Sequence, residues 1–305
     1  MFGYIVRRLM FIPVSLLLVT MAVFFILRAT GDPVQLYLGV ESTPEQVALL
    51  EKRLHLDKPL PVQYLIFLKE VVTGDFGVSL RFDEPALPLV LSRLVATVQL
   101  VSVGMLFAVI LGVLGGIACA VWKDRPIDFI ISSLAVAGQS IPSFWLGIML
   151  ISIFAIDLRW LPTSGTGSWK HLILPGVTLS TFLLPNFVLL TRTNFLETMT
   201  EQFVTTAKAK GLPQRKVLFK HILRNALNPV VTFLGLQVGR LLGGSIITET
   251  IFAWPGVGRL AVGSIFQRDV PVVEATVFLL SIFVILSSLL VDIAHSLIDP
   301  RIRIR

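Results

Sequence analysis

Six apolar stretches, each long enough to cross a lipid bilayer, dominate this sequence of 305 residues. They fall at residues 9–27, 95–121, 129–156, 172–191, 228–252 and 272–298. A helix needs about 20 apolar residues to cross the hydrocarbon region, where only helices and closed barrels satisfy every backbone group. Hydrophobic residues make up 54% of the chain and charged residues 15%, as in polytopic membrane proteins. The sequence therefore predicts an all-α membrane protein with about six transmembrane helices.

Two of the predicted spans contain helix-breaking residues. Pro175, Pro185 and Asn186 interrupt the fourth span, and Pro142 lies inside the third. Proline is tolerated in a span where neighbouring helices or water satisfy the freed carbonyl groups. We therefore keep both spans and expect a kink at Pro142.

The distribution of basic residues predicts the orientation. Arg7 and Arg8 precede the first span, which favours a cytoplasmic N-terminus. With six spans the C-terminus is cytoplasmic too, and the inner segments (1–8, 122–128, 192–227 and 299–305) are richer in Lys and Arg than in Asp and Glu. This topology accounts for the net charge of +7 without a nucleic-acid partner. A cleaved signal peptide is the alternative for residues 1–30, but the apolar core is too long and no small-residue cleavage site is evident.

The long outer loop, residues 28–93, has enough pattern to fold. Thr43 and Pro44 resemble a capping box with proline at the first helical position, and a second helix is predicted from Val62 to Val72, ending near Gly74. Two interpretations stay open. The loop is either a lid over the outer mouth of the membrane domain or a docking surface for an extracytoplasmic partner.

The polar segment Arg192 to Pro229 lies between two apolar blocks and carries seven Lys and Arg residues. Gly211, followed by Leu212 and Pro213, predicts a tight turn between two short helices. After the turn, a basic stripe recurs every four residues beside an apolar edge of Leu218 and Ile222. The stripe consists of Lys216, Lys220 and Arg224. Such a helix suits a groove on another protein. Contact with anionic lipid headgroups is the alternative, and the residues alone favour it.

The same segment resembles the EAA loop of binding-protein-dependent ABC importer permeases. In that loop an alanine, a glycine four residues later and a downstream proline frame the coupling helix, and here Ala207, Gly211 and Pro229 take those places. Thr205 stands where the family has its glutamate, as is normal in the dipeptide/oligopeptide/nickel subfamily, to which glutathione permeases also belong. Further matches to this subfamily are YIVRRL at 4–9, GDP at 31–33, PLPVQYL at 59–65, GDFGVSL at 74–80, SIPSFWLG at 140–147, TAKAKGL at 206–212, HILRNALNPVVT at 221–232, ETIFAWPGVGRL at 249–260 and LIDPRIR at 297–303.

The resemblance implies a type I ABC importer permease fold and a multi-pass protein of the bacterial inner membrane. It divides the chain into the first helix with its outer loop (1–93), the transmembrane domain (94–298) with its coupling loop (192–229), and a basic tail (299–305). The implied partners are a second permease subunit, two cytoplasmic ATPase subunits and an extracytoplasmic binding protein, besides membrane lipid. The solute would be a dipeptide, an oligopeptide, glutathione or a nickel chelate. The residues implied in coupling are Thr205, Thr206, Ala207, Gly211, Leu212, Lys216, Lys220, Arg224 and Pro229.

Motifs for catalysis or cofactor binding are missing from the sequence. It has no Gly-Lys pair and hence no P-loop, so we expect no cofactor on this chain, with ATP and Mg²⁺ held by partner subunits. Asp292, His295 and Asp299 share a helical face, yet we expect that face to interact with the basic tail and not with a metal. Cys119 lies in an apolar run and has no disulfide partner, which indicates a small core residue.

The second and fifth spans carry residues of interest inside the membrane. Gly112 and Gly116 in the second span, and Gly235, Gly239 and Gly243 in the fifth, form small-residue stripes that let another helix approach closely.

Gln237, Arg240 and Glu249 in the fifth span are candidates for a translocation path or gate, because a charge at this depth needs water or protein around it. A structural ion pair, formed with the partner subunit, is the alternative for Arg240. At the level of the whole protein, the alternatives are a secondary transporter or a channel subunit without an ATPase partner.

Overall fold

The computed structural model describes residues 2–29 and 56–298, together with Glu45, Ala48, Glu51 and Lys52. For residues 2–9, 238, 240, 242 and 290–298 it describes the backbone alone. The predicted capping box at Thr43 and Pro44 lies outside the described residues. So do the side chains of Arg7, Arg8 and Arg240, and those of Asp292, His295 and the tail.

Helices form every named element of the described chain, as the apolar spans predict. They are α1 (Phe2–Ala29), α2 (Leu60–Thr73), α3 (Ala86–Val121), α4 (Pro126–Ser140), α5 (Ser143–Leu150), α6 (Ile173–Thr181), α7 (Leu184–Met199), α8 (Gln202–Ala209), α9 (Gln214–Lys216), α10 (Leu223–Ala226), α11 (Asn228–Ile251), α12 (Val257–Phe266) and α13 (Val270–Ile298). A π-helical turn, Ile151–Asp157, extends α5, and a second, Val217–Ile222, joins α9 to α10. A 3-10 turn, Trp169–Leu172, leads into α6.

Three described helical segments are long and apolar enough to cross a membrane, namely Met10–Ala29, Ala86–Val121 and Val270–Leu289. Two bent pairs raise the number to five if each pair is one span: 126–157, bent by 104°, and 169–199, bent by 60°. The predicted fifth span corresponds to the 24-residue helix α11, which is not among these five segments. The kink expected at Pro142 is confirmed, and the bend of 104° is large enough to break the helix in two. Helix α4 ends at Ser140 and α5 begins only after Pro142.

The chain forms two compact units. The first contains residues 1–95 and 259–286. In it, α1 packs on α2 through an aromatic cluster in which the Phe24 ring lies edge-on to Tyr64, with centroids 5.4 Å apart. Helix α2 ends at Gly74, whose φ of 77° is the left-handed conformation favoured by glycine, so the predicted end of this helix is confirmed. Beyond it, the buried hydroxyl of Ser79 donates to the buried carboxylate of Asp269 at 2.5 Å.

The first unit consists of two segments that are distant in the sequence. Residues 259–286 join it through contacts such as the Ser79–Asp269 bond and the pairing of Phe76 with Phe278, whose ring centroids are 5.4 Å apart. The predicted domains place the boundary at residues 93 and 94 and follow the family pattern. These boundaries stay a prediction.

The second unit contains residues 96–258 and 287–305. Close approach of α3 to α7 depends on the predicted glycine stripe of the second span. A methyl group on Gly112 would overlap Phe187, and one on Gly116 would overlap Thr191. The stripe therefore brings two helices of the same chain together. By contrast, a methyl group on Gly243 in the fifth span would meet no described atom within 4 Å.

Cys119 lies in a small core between α3, α4 and α7. It is fully buried with Ala135 and Val188, as its apolar neighbours in the sequence predict.

Candidate coupling surface and interior carboxylate

The inner loop folds around an apolar core of its own. Helix α8 and the helical stretch 214–226 pack against the end of α7 and the end of α3. Their buried side chains are Ala120, Phe195, Val204, Ala207, Val217, Ile222 and Ala226. Leu212 and Leu218 are partly buried against this core. The loop is thus a compact helical element that packs on the ends of α3 and α7.

Gly211 forms the turn between the two helical parts of the loop. Its φ of 76° lies in the left-handed region, and a Cβ there would meet nothing within 4 Å. The glycine is needed for backbone conformation and leaves its surface open to a partner. The tight turn predicted here is confirmed.

The outward face of the loop is polar, with the predicted basic stripe exposed. Its exposed residues from the predicted set are Thr205, Thr206, Gly211, Lys216, Lys220 and Arg224. Pro229 is partly buried in the first turn of α11. The prediction that Leu218 and Ile222 form an edge for docking on a partner is wrong. Ile222 is 0% exposed and Leu218 packs on the loop core. Ala207 is likewise buried in this core and not presented outward.

Two exposed aromatic residues complete the outward face. Phe219 is 64% exposed and Phe203 is 39% exposed. Neither was singled out from the sequence. Phe219 precedes Lys220 in a helical turn whose buried residues are Val217 and Ile222. An aromatic residue next to the basic stripe was the sequence signal that could have identified it. Aromatic residues are enriched at protein-binding surfaces, so the exposed pair favours such a surface here.

A buried ion pair joins α4 to α7 where the loop begins. The Arg192 guanidinium donates to both carboxylate oxygens of Asp128, at 2.8 Å from Nε and 2.7 Å from Nη2. Only 8% of the Asp128 side chain is exposed, and its carboxylate also accepts the Asp124 backbone N–H at 3.1 Å. This bidentate pair fixes the start of the broken third span to the helix that leads into the loop. This pair was not predicted from the sequence, since the partners lie 64 residues apart.

Glu249 is a fully buried carboxylate at the end of α11. Thr97 donates to its Oε1 at 2.7 Å and Ser245 donates to the same oxygen at 3.2 Å. The Thr97 hydroxyl accepts the backbone N–H of Val257 at 2.8 Å, so one threonine joins α3, α11 and the start of α12. Nearby, the Trp254 indole N–H donates to the Ala96 carbonyl at 2.8 Å.

Glycines surround the Glu249 carboxylate. A methyl group on Gly256 would overlap the carboxyl group itself, and one on Gly258 would crowd both Oε2 and Ile246. The turn before them includes Ala253 at φ 48° and bonds back through Trp254 N–H to the Glu249 carbonyl at 2.8 Å. The segment ETIFAWPGVG thus wraps its own glutamate.

The two candidate path residues whose side chains are described, Gln237 and Glu249, do not line an open site. Glu249 and Gln237 are 0% and 2% exposed within the chain, and the Arg240 side chain lies outside the described residues. Their role in a path or gate stays a prediction. Among the described residues, no group of three or more His, Cys, Asp or Glu side chains is placed to hold a metal.

Solved structures with the same arrangement of helices are ABC transporters. An inward-facing structure of the MetNI methionine ABC transporter matches 69% of this chain and 96% of its own chain, with a TM-score of 0.58 and 19% identity. An amino acid ABC transporter solved with histidines matches 68% and 92%, with a TM-score of 0.52 and 16% identity. At these identities the likeness establishes the fold, which is that of type I ABC importer permeases.

Relatives with similar sequences identify the family within this fold. The chain is 43% identical over 304 residues to the glutathione transport system permease protein GsiC of Salmonella choleraesuis (strain SC-B67), covering 99% of both chains. It is 41% identical, with the same coverage, to GsiC of Escherichia coli (strain K12). Residues 112–304 match the pattern of the binding-protein-dependent transport system inner membrane component, and residues 1–101 match the N-terminal pattern of such membrane components.

The chain belongs to the family of binding-protein-dependent transport system inner membrane components. It is a permease subunit of an ABC importer embedded in the inner membrane, as the resemblance of its loop and motifs predicted.

Proposed function

We propose that this permease subunit moves a small peptide-like solute, glutathione or a close analogue, across the inner membrane. The observation that carries the proposal is the identity of 41–43% to glutathione permeases along almost the entire length of both chains. Dipeptides and oligopeptides are the wider class. The chain itself is the passive conduit, without catalysis or a resident cofactor, and ATP and Mg²⁺ act on its partners.

The partners we propose are a second permease subunit, two cytoplasmic ATPase subunits and an extracytoplasmic binding protein. Support for the ATPase contact comes from the outward face of the inner loop, which combines the basic stripe with exposed Phe203 and Phe219. The exposed position of Gly243, where a neighbouring helix has room to approach, supports the second permease subunit.

The direct test is purification of the chain from its native membrane under mild conditions, followed by reconstitution into vesicles. We expect two ATPase subunits to purify with it, and uptake of labelled glutathione to require ATP and the binding protein. Uptake driven by an ion gradient, in a preparation without ATPase subunits, would instead identify a secondary transporter.

Gly211→Arg should abolish ATP-driven uptake while the protein still accumulates in the membrane. The arginine side chain would project from the exposed turn into the space that the ATPase occupies, and close backbone approach needs a small residue. Uptake and ATPase retention are the measurements. Gly165→Arg is the matched control, since Gly165 also has a left-handed φ, 84°, and open space around it. If both variants lose uptake equally, backbone strain explains the loss and the ATPase contact does not.

We also propose that the inner loop and both termini are cytoplasmic and that residues 28–93 lie outside. Cysteines at Glu84 and Thr205, both exposed positions, should react with impermeant thiol reagents from opposite faces of the membrane. A Cys119→Ala background removes the one native thiol. Reaction of both cysteines from the same face would contradict the six-span topology.

A further inference from the structure

One face of helix α7 carries polar side chains that the rest of the described chain leaves uncovered. Asn186, Thr193 and Glu197 are exposed along it. At 3.6 residues per turn, separations of 7 and 11 residues place all three within about 20° of one angular position. The other side of the helix is buried, through Phe187, Val188, Thr191 and Phe195. Helix α7 therefore has a buried face toward its own chain and a polar face away from it.

Asn186 lies within the membrane part of this helix. It occupies the first turn of α7, directly after the 60° bend, and stands about 9 Å along the helix axis from Arg192, where the polar loop begins. An exposed side-chain amide facing hydrocarbon finds no hydrogen-bonding partner, which is strongly unfavourable. Rotation of the helix cannot hide it, because its neighbours Pro185 and Phe187 are both buried. Asn186 must therefore face water or another protein.

Water is favoured over a protein interface by the extent of the polar face. Thr193 and Glu197 belong to the inner loop and continue the face of Asn186 toward the cytoplasmic side. A polar face that runs from the membrane part of the helix into this loop is what a hydrated passage opening on that side would have.

We infer that this face of α7 lines the hydrated route of the solute, with Asn186 as the contact for its amide groups. The inference deepens the proposed function and rests on it. The Asn186 side chain donates two hydrogen bonds and accepts others, which matches the N–H and C=O groups of a peptide bond. Glu197, at the loop end of the route, attracts an ammonium group.

Accessibility of a cysteine at position 186 tests the route directly. The variant Asn186→Cys, in a Cys119→Ala background, is treated with a charged methanethiosulfonate in membranes that hold the complete transporter. Leu134→Cys is the control, because Leu134 is 67% exposed on α4 but apolar. We expect the cysteine at 186 to react at least about tenfold faster, since the reactive thiolate forms only in contact with water. Equal, slow reaction at both positions overturns the inference. If position 186 then reacts quickly after the subunits are separated in detergent, the face is a subunit interface.

Transport by two further variants tests the amide contact. Asn186→Leu should lower glutathione uptake about tenfold, because the solute loses a hydrogen-bonding partner, while Asn186→Gln keeps the amide and most of the uptake. ATPase subunits should purify with both variants. Normal uptake by Asn186→Leu contradicts the contact. Failure of the wild-type transporter to take up glutathione would instead contradict the proposed solute, and the labelling result would stand.

Discussion

Replacing Gly256 by alanine is expected to prevent the folded protein from accumulating. The added methyl group would overlap the Glu249 carboxyl group, which is fully buried and held by Thr97 and Ser245. Relief of the overlap would have to break these hydrogen bonds or shift the turn, so we expect a loss of roughly 3 kcal/mol or more, at the high end for overpacking. Yield in the membrane and the unfolding temperature of the purified protein are the measurements.

Two further variants separate this overlap from a general intolerance of substitution. Gly263→Ala adds the same methyl group in the following helix, where it meets no described atom within 4 Å, and should be neutral or slightly stabilising. Adding Glu249→Ala to Gly256→Ala makes room for the methyl group and should recover part of the lost stability. An unfolding temperature for Gly256→Ala equal to that of the wild type would mean that the carboxylate does not pack against this glycine.

Removal of the Asp128 carboxylate should be the second large effect. Asp128→Ala leaves the Arg192 guanidinium, 27% exposed, without its bidentate acceptor. Breaking a buried ion pair on one side costs about 3–5 kcal/mol, and the partial exposure of Arg192 favours the lower end. Thermal unfolding of the purified subunit measures the loss. The same variant should weaken ATP-driven uptake, because the pair joins the broken third span to the helix that enters the loop.

The neighbouring surface pair supplies the control. Lys123 and Asp124 approach to 4.0 Å, with 56% and 79% of their side chains exposed, so Lys123→Ala should change stability by less than about 0.5 kcal/mol. Replacing both Asp128 and Arg192 by leucine removes the two charges together and should be less harmful than Asp128→Ala alone. A double variant less stable than the single one would show that the packing of the pair matters more than its charge.

Local features of the fold were predictable because they depend on neighbours in sequence. Apolar runs located the spans, Pro142 located the break in the third, and glycine with proline located the turn at Gly211. The end of α2 at Gly74 belongs to the same group. Each of these depends on backbone conformation or hydropathy within about one turn, which a single sequence contains.

The pairings that fix the candidate sites are of another kind. Thr97 and Glu249 lie 152 residues apart, and nothing in either neighbourhood indicates the other. The direction of side chains in the loop was also beyond the sequence. Leu218 and Ile222 were interpreted as an edge for a partner. They lie in the π-helical turn 217–222, and both side chains pack into the core of the loop itself. The apolar face of a short amphipathic helix can be covered by its own chain or by a partner protein. The periodicity of the sequence does not tell which of the two covers it.

The bond from Ser79 to Asp269 also sets an order of events during synthesis. The two residues are 190 positions apart, so at about 5–20 residues per second the ribosome delivers the carboxylate roughly 10–40 s after the hydroxyl. During that interval most of the membrane helices are made, while Ser79 and the Leu80 N–H, which donates to the same carboxylate at 3.3 Å, have no Asp269 to bind. The segment after α2 is therefore among the last parts of the nascent protein to reach its final structure. A message truncated before codon 269 yields a chain that can insert its earlier helices but cannot complete this segment.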